Sequence, residues 1–320
     1  MATIGVDLGT AQIRSVLMEP DGSVAGRANL KTPRNGDRLA IVDVLEASVR
    51  AAIDDAGASG GDIAVVGVAT PGVVMDGTVG GAANMPGWTE RFALKEMISQ
   101  RLGRPVHIVN DATAAAVAEH RWGAASGCDN VFFAHSGTGV GSGLILGGVP
   151  YMGGHGGAGE FGHMVVVRGG ATCPCGRQGC VEAYAGRRAM ELSARRAVES
   201  GRETVLFALA DEHDRGRVTS GVVKAGLDAD DELTHELVRD AILALGTGIA
   251  SVVNLLDIDM VVIGGGLGDK LGDWYHHRIE AAMRPNLFLQ PPQVRMVGAA
   301  MGAEGGAVGA AALAEEVGGR

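Results

Sequence analysis

No run of apolar residues in this 320-residue chain is long enough to span a bilayer as a helix. Basic clusters are missing too. Lys plus Arg is 27 against 37 for Asp plus Glu, a formal net charge of −10, so nucleic acid and anionic membrane surfaces are poor partners. The opening residues, MATIGVDLG, read directly as a strand with no basic-then-apolar leader, and the expected location is the cytoplasm. No G-x4-G-K-S/T occurs, which excludes a Walker A loop. No acidic residue follows a glycine turn where a dinucleotide fold places one, which argues against an NAD site. Cysteine is scarce. Three of the four, Cys173, Cys175 and Cys180, crowd together while Cys128 stands alone, a pattern of metal or redox chemistry and not of a disulfide framework.

Glycine, in contrast, numbers 52, more than twice the usual share of about 7%, and collects at strand ends where backbone approaches a ligand. With 46% hydrophobic residues the chain is not disordered, and its length suits one large domain or two ordinary ones. Strands are predicted at Thr3–Leu8, Ile13–Met18, Ile63–Ala69, Val106–Val109, Asn130–His135, Val140–Leu146, Asp259–Ile263 and Val294–Val297. Helices are predicted at Arg38–Asp55, Thr89–Leu102, after Asp111, and at Ala183–Glu199, Glu236–Leu256 and Glu304–Glu315. This alternation gives an α/β class. A strand, glycine turn and strand occur at the start and again near Asn130, which suggests a duplicated architecture with a cleft between the halves.

Several constellations carry chemistry. Cys173, Cys175 and Cys180 form C-x-C-x4-C with His163 ten residues upstream, a closed set for a structural zinc; the alternative is three reduced core thiols. Asp7-Leu8-Gly9-Thr10 ends the first strand, where backbone N–H groups can face an anion and Asp7 can hold Mg²⁺ through water. Gly137-Thr138-Gly139 begins a second turn in which Thr138 adds a hydroxyl donor. Gly264-Gly265-Gly266 follows a buried strand and is a third place for close nucleotide approach. Each turn also reads as an ordinary connection. Asn110-Asp111 sits at a strand tip, where an Asp can accept a hydroxyl proton or where either residue can cap the next helix. Glu160 and Glu182 flank the metal quartet, as carboxylates suited to sugar hydroxyls or as solvated surface residues.

Together these residues resemble the ROK family (repressors, open reading frames and kinases), in particular its bacterial glucokinases. Gly159-Glu160-Phe161-Gly162-His163 followed by Cys173–Glu182 is the most specific part. Thr70-Pro71-Gly72, Asn84–Trp88, Val109–Ala112, Gly137–Gly141 and Ile263–Gly266 also match. The resemblance implies an actin-like, ribonuclease-H-like fold with two domains that close over a hexose and ATP. The expected division is 1–120 plus the helix 304–320 for the smaller domain and 121–303 for the larger, zinc-stapled one. By the same resemblance Asp111 is the catalytic base, and Asn84, Asn110, Asp111, Glu160, His163 and Glu182 contact the sugar. His163, Cys173, Cys175 and Cys180 ligate zinc. Asp7, Gly9, Thr10, Gly137, Thr138, Gly139, Gly265 and Gly266 hold the nucleotide with Mg²⁺. A dimer or tetramer is implied.

Three segments depart from the family pattern, at four positions. Ala11 stands where a hydroxyl residue is usual and Gln12 where a Lys is; Thr113 replaces a common Asn, and Ser142 a frequent Gly. Family repressors carry a helix-turn-helix before the first strand, for which there is no room here, so a kinase is expected, with a non-catalytic sugar-binding regulator as the alternative. The acidic residues at the matching sugar positions favour a neutral or amino hexose, transferred to at its 6-hydroxyl, over a phosphorylated one.

Overall fold

The computed structural model of the chain describes residues 2–33, 37–82, 85, 87–214, 216–290 and 293–318. The alternating apolar residues at the start form a hairpin, β1 (Ala2–Leu8) and β2 (Gln12–Met18), whose antiparallel register sets Asp7 opposite Arg14. β3 (Val24–Lys31) adds to its outer edge, while β4 (Ile63–Thr70) and β7 (Val106–Asn110) continue the sheet in parallel on the other side. Between them lie α1 (Arg38–Asp55), the small hairpin β5 (Val73–Met75) and β6 (Thr78–Gly80), and α2 (Leu94–Leu102). The Asp37 side chain caps α1 by accepting from the Leu39 N–H, and Leu45, Val49 and Ala52 bury its inner stripe.

α3 (Asp111–Trp122) leaves β7 directly. A second five-stranded sheet then runs β10-β9-β8-β11-β12, built from β8 (Val131–Ser136), β9 (Val140–Leu146), β10 (Val149–Pro150), β11 (Met260–Gly264) and β12 (Arg295–Gly298). Its order repeats that of the first sheet, β3-β2-β1-β4-β7, with two parallel strands after the first strand of the hairpin. The duplicated pattern visible in the sequence is therefore a duplicated topology. The remaining helices are α4 (Glu182–Ala185), α5 (Arg187–Glu199), α6 (Leu206–Asp214), α7 (Ser220–Asp228), α8 (Glu232–Leu256), α9 (Gly265–Met283) and α10 (Gly305–Gly318).

Two compact units result: residues 1–127, 143–158 and 301–320, and residues 128–142 and 159–300. In the first unit α10 lies directly on the sheet. A Cβ at Gly5 would fall 1.9 Å from the Ala307 carbonyl oxygen, and one at Gly67 1.9 Å from that of Ala310. That contact also brings Gly306 against the Asp7 carboxyl, 3.0 Å from its Cγ to a built Cβ. Among the described residues no helix is long and apolar enough to cross a membrane.

Some elements differ from expectation. The helix expected from Thr89 starts at Leu94, because Phe92 exchanges two 3.0 Å backbone hydrogen bonds with Val79 and the Thr89 carbonyl accepts from Gly81. The helix expected over Ala183–Glu199 breaks at Gly186, whose extended backbone (φ −81°, ψ 128°) separates α4 from α5. α8 begins four residues early, where Asp231 caps it through the Thr234 N–H.

Candidate active site

The first glycine turn belongs to the first unit. The Gly9 N–H donates to the Gln12 carbonyl at 3.0 Å, and the Gly9 carbonyl accepts from the Thr32 hydroxyl at 2.7 Å. Thr10 follows half-buried, and Ala11 is exposed. Asp7 precedes the turn with its side chain only 18% exposed, 3.6 Å from the Arg14 guanidinium. Burial, and next the negative charge of Asp111, push the Asp7 carboxyl up to about 7, with Arg14 pulling the other way. Arg14 also donates to the Gln12 side-chain oxygen at 2.6 Å. The alternation of β2 puts Gln12 and Arg14 on one face, so a cation stands two residues beyond the position where the family pattern has Lys.

At the tip of β7 the two adjacent candidates take different parts. The Asn110 side-chain oxygen accepts from the Ala112 and Thr113 N–H groups at 3.0 and 3.1 Å, which is the N-cap of α3, and its amide donates to the Gly72 carbonyl at 3.2 Å. Asp111 is the first residue of α3, half-buried, with one carboxylate oxygen accepting from the Ala112 N–H at 2.9 Å. Capping is thus done by Asn110. Asn84 lies outside the described residues.

The second glycine turn belongs to the second unit and is fixed by the segment after Cys180. The first two backbone N–H groups of α5 donate to the Gly137 and Thr138 carbonyls at 3.1 and 3.2 Å. The Ser136 hydroxyl donates to the Ala185 carbonyl at 3.1 Å, and the Glu182 carboxylate accepts from the Val140 N–H at 2.8 Å. The break at Gly186 allows this docking: a Cβ there would approach the Gly139 Cα to 3.4 Å. Thr138 is exposed, and its hydroxyl accepts from an Nη of Arg187 at 3.0 Å. Gly265 and Gly266 open α9 beside the same turn. Gly265 has φ +86°, and a Cβ on it would lie 2.6 Å from the Ser136 carbonyl oxygen. The structure thus gathers Gly137, Thr138, Gly139, Gly265 and Gly266 in one neighbourhood.

The quartet is gathered as well. Ligand atoms of His163, Cys173, Cys175 and Cys180 all lie within 4.8 Å of one another, a set that can hold a metal ion. A tight hairpin does this: the Cys173 N–H donates to the Arg177 carbonyl at 2.8 Å and the Gly179 N–H to that of Ala171 at 2.8 Å. His163 turns Nδ1 toward Cys173 Sγ (3.9 Å) and Nε2 toward Glu160 (3.9 Å). Burial pushes the Cys173 and Cys180 thiols up; for Cys175 burial is outweighed by hydrogen bonds, led by that from the Arg177 backbone, and its thiol is lowered. Glu160 is exposed, while Glu182 is half-buried with one oxygen on Val140 and the other 3.8 Å from Cys173 Sγ.

Sequence reasoning missed Arg14 and Arg187. Arg14 carried a signal, its i, i+2 alternation with Gln12. Arg187 carried none, since it meets Thr138 across 49 residues of chain.

The chain is similar to known proteins along nearly its whole length. A Streptomyces coelicolor glucokinase is 34% identical over 323 residues, covering 98% of each chain. A Haemophilus influenzae N-acetylmannosamine kinase is 30% identical over 99% of this chain and 96% of its own. A ROK family glucokinase from Streptomyces griseus, solved in complex with glucose and AMPPNP, superposes with a TM-score of 0.84 at 33% identity, covering 99% of this chain and all of that one. The repeated sheets are accordingly those of the actin-like ATPase fold. The ROK family pattern matches residues 3–317, and this chain belongs to the ROK family.

Proposed function

We propose that the protein is an ATP-dependent hexose kinase that phosphorylates the 6-hydroxyl of glucose or a glucose-like sugar, amino sugars included, with Asp111 as general base. The observation that carries the reading is the division of labour at the tip of β7. Asn110 is the N-cap, and Asp111 gives only one carboxylate oxygen to the Ala112 N–H, which leaves the other to take the hydroxyl proton as the hydroxyl oxygen attacks phosphorus. The full-length likeness to kinases of glucose and N-acetylmannosamine supports the substrate class.

In the second unit Glu160, His163 and Glu182 orient the sugar, with His163 held by its metal site. Zinc fits that site: a tetrahedral ion with Zn–S bonds of about 2.3 Å sets its ligands roughly 3.8 Å apart, and Cys175 and Cys180 already stand 3.9 Å from one another. With four protein ligands the ion is structural. Gly137–Gly139 and Gly265–Gly266 receive the donor, and Thr138 offers its hydroxyl. Asp7, crowded against Asp111, carries charge that a cation would relieve, which suits it to hold through water the Mg²⁺ that neutralises ATP phosphates. A dimer or tetramer is the expected assembly. A coupled phosphoryl-transfer assay over glucose, N-acetylglucosamine, N-acetylmannosamine and an amino-deoxyglucose, with ATP and polyphosphate as donors, tests the proposal. Transfer from ATP to at least one hexose is expected. Sugar binding without transfer from any donor would favour the regulator.

A further inference from the structure

The first glycine turn has neither the hydroxyl nor the lysine of its family pattern, and the cation beside it, Arg14, is already engaged, 3.6 Å from the Asp7 carboxylate and donating to the Gln12 side chain at 2.6 Å. A donor carrying several phosphate charges gains little there. At the second turn the N-terminus of α5 is no anion site either, because its first two N–H groups are taken by the Gly137 and Thr138 carbonyls. What that turn does offer is the exposed Thr138 hydroxyl, gripped at 3.0 Å by the Arg187 guanidinium, which also donates to the Val218 carbonyl at 3.4 Å. A hydroxyl that accepts from a guanidinium has its own proton directed elsewhere and more acidic, a better donor to an anion.

We infer that Arg187 is a positioning residue for the phosphoryl donor: it fixes the Thr138 hydroxyl as a donor to the phosphates and supplies the second turn with the positive charge that Gln12 does not bring to the first. The inference rests on the kinase reading. It assigns the recognition of a polyphosphate chain mainly to the Arg187–Thr138 pair and not to the turn after β1.

The test is calorimetric titration of the full, metal-loaded chain with adenosine, AMP, ADP and ATP in the presence of Mg²⁺. It compares wild type with Arg187→Gln, Arg187→Lys, Thr138→Val and the Arg187→Gln/Thr138→Val double variant. Arg187→Gln should weaken ADP and ATP roughly 10- to 100-fold, as expected for a lost hydrogen bond to a charged group, and leave adenosine unmoved. Arg187→Lys should recover part of the loss. The double variant should bind ATP no worse than the weaker single variant, because the two side chains act as one unit. Equal weakening of adenosine and ATP would mean a merely structural arginine, and additive losses would mean that Arg187 does not act through Thr138; either overturns the inference. A wild type that binds ATP but transfers to no sugar would sink the kinase reading while these titrations still decide the arginine. Turnover with an unchanged ATP affinity in Arg187→Gln would sink the arginine alone.

Discussion

The turn after β1 and the turn after β8 hold the same place in two sheets of one strand order, yet their side chains differ in charge. The first lies beside Asp7, Arg14 and Asp111 and presents Ala11 and Gln12. The second presents Thr138 with Arg187 and is backed by Gly265 and Gly266. The two turns share a strand–turn–strand backbone and differ in the side chains they carry. In the proposed reaction the carboxylate side manages a proton and a cation, and the hydroxyl and guanidinium side manages the donor phosphates.

The largest way to break that contrast is to remove the base. Asp111→Asn keeps the size and the start of α3 but cannot take a proton, and kcat should fall about 10²- to 10⁴-fold. Sugar affinity, measured by calorimetry, should change much less. A near wild-type kcat would return Asp111 to a helix-terminal role.

On the opposite side, Cys175→Ala should remove the metal and loosen the segment that pins the second turn. Glu182 and the start of α5 follow directly on Cys180 and hold Val140, Gly137 and Thr138. Elemental analysis should fall from one zinc per chain to nearly none. Stability should drop by on the order of several kcal/mol, because ligation energy is also folding energy. Wild type free of zinc after a chelator wash that strips only loosely held ions would refute the assignment.

Asp7 gives the first turn a pH signature of its own. Its carboxyl is raised from an ordinary 3.8 to about 7, so the folded chain holds this proton more tightly than the unfolded chain does. The associated stability is full below about pH 3.8 and is lost as the pH rises to about 7. In magnesium-free buffer Asp7→Asn should therefore flatten the stability profile across that window and stabilise the protein at pH 8, by about 2–4 kcal/mol at most. The same substitution should weaken Mg²⁺-ATP. Thermal melts of both proteins from pH 4 to 8 measure it; parallel profiles would mean that Asp7 is not perturbed.

The smallest effect sharpens the comparison. Ala11→Thr restores a hydroxyl to the first turn and should lower the KM for ATP by up to about 10-fold, with the sugar KM unmoved. A wild-type KM already in the low micromolar range, indifferent to Ala11→Thr, would show that the second turn suffices by itself.

Much of this was legible in the sequence where the signal is local. The metal quartet was readable because C-x-C-x4-C fixes three ligands on one short hairpin, and the tip of β7 because a buried apolar strand ends at Asn110-Asp111. The duplicated sheets were readable from two strand–glycine–strand patterns. Which of Asn110 and Asp111 caps α3 was not, since both types cap helices and only the geometry separates them. α9 was missed because it opens on glycines, which are poor helix formers and read as a turn, although the same glycines let the helix start against Ser136. The helix read over Thr89–Leu102 rests on the stripe of Leu94, Ile98 and Leu102, and the Thr89–Phe92 backbone before that stripe pairs with Val79 and Gly81 instead, a tertiary override of local pattern. The Arg187–Thr138 contact is nonlocal and left no periodic trace.

The most direct test of the central claim is the product itself. Phosphorus NMR of the mixture formed by wild type with ATP, Mg²⁺ and each of the four sugars should show a phosphomonoester on the 6-hydroxyl of at least one hexose, formed in step with ADP and nearly absent with Asp111→Asn. Phosphate on another hydroxyl, or a 6-phosphate formed equally fast by Asp111→Asn, would contradict the account.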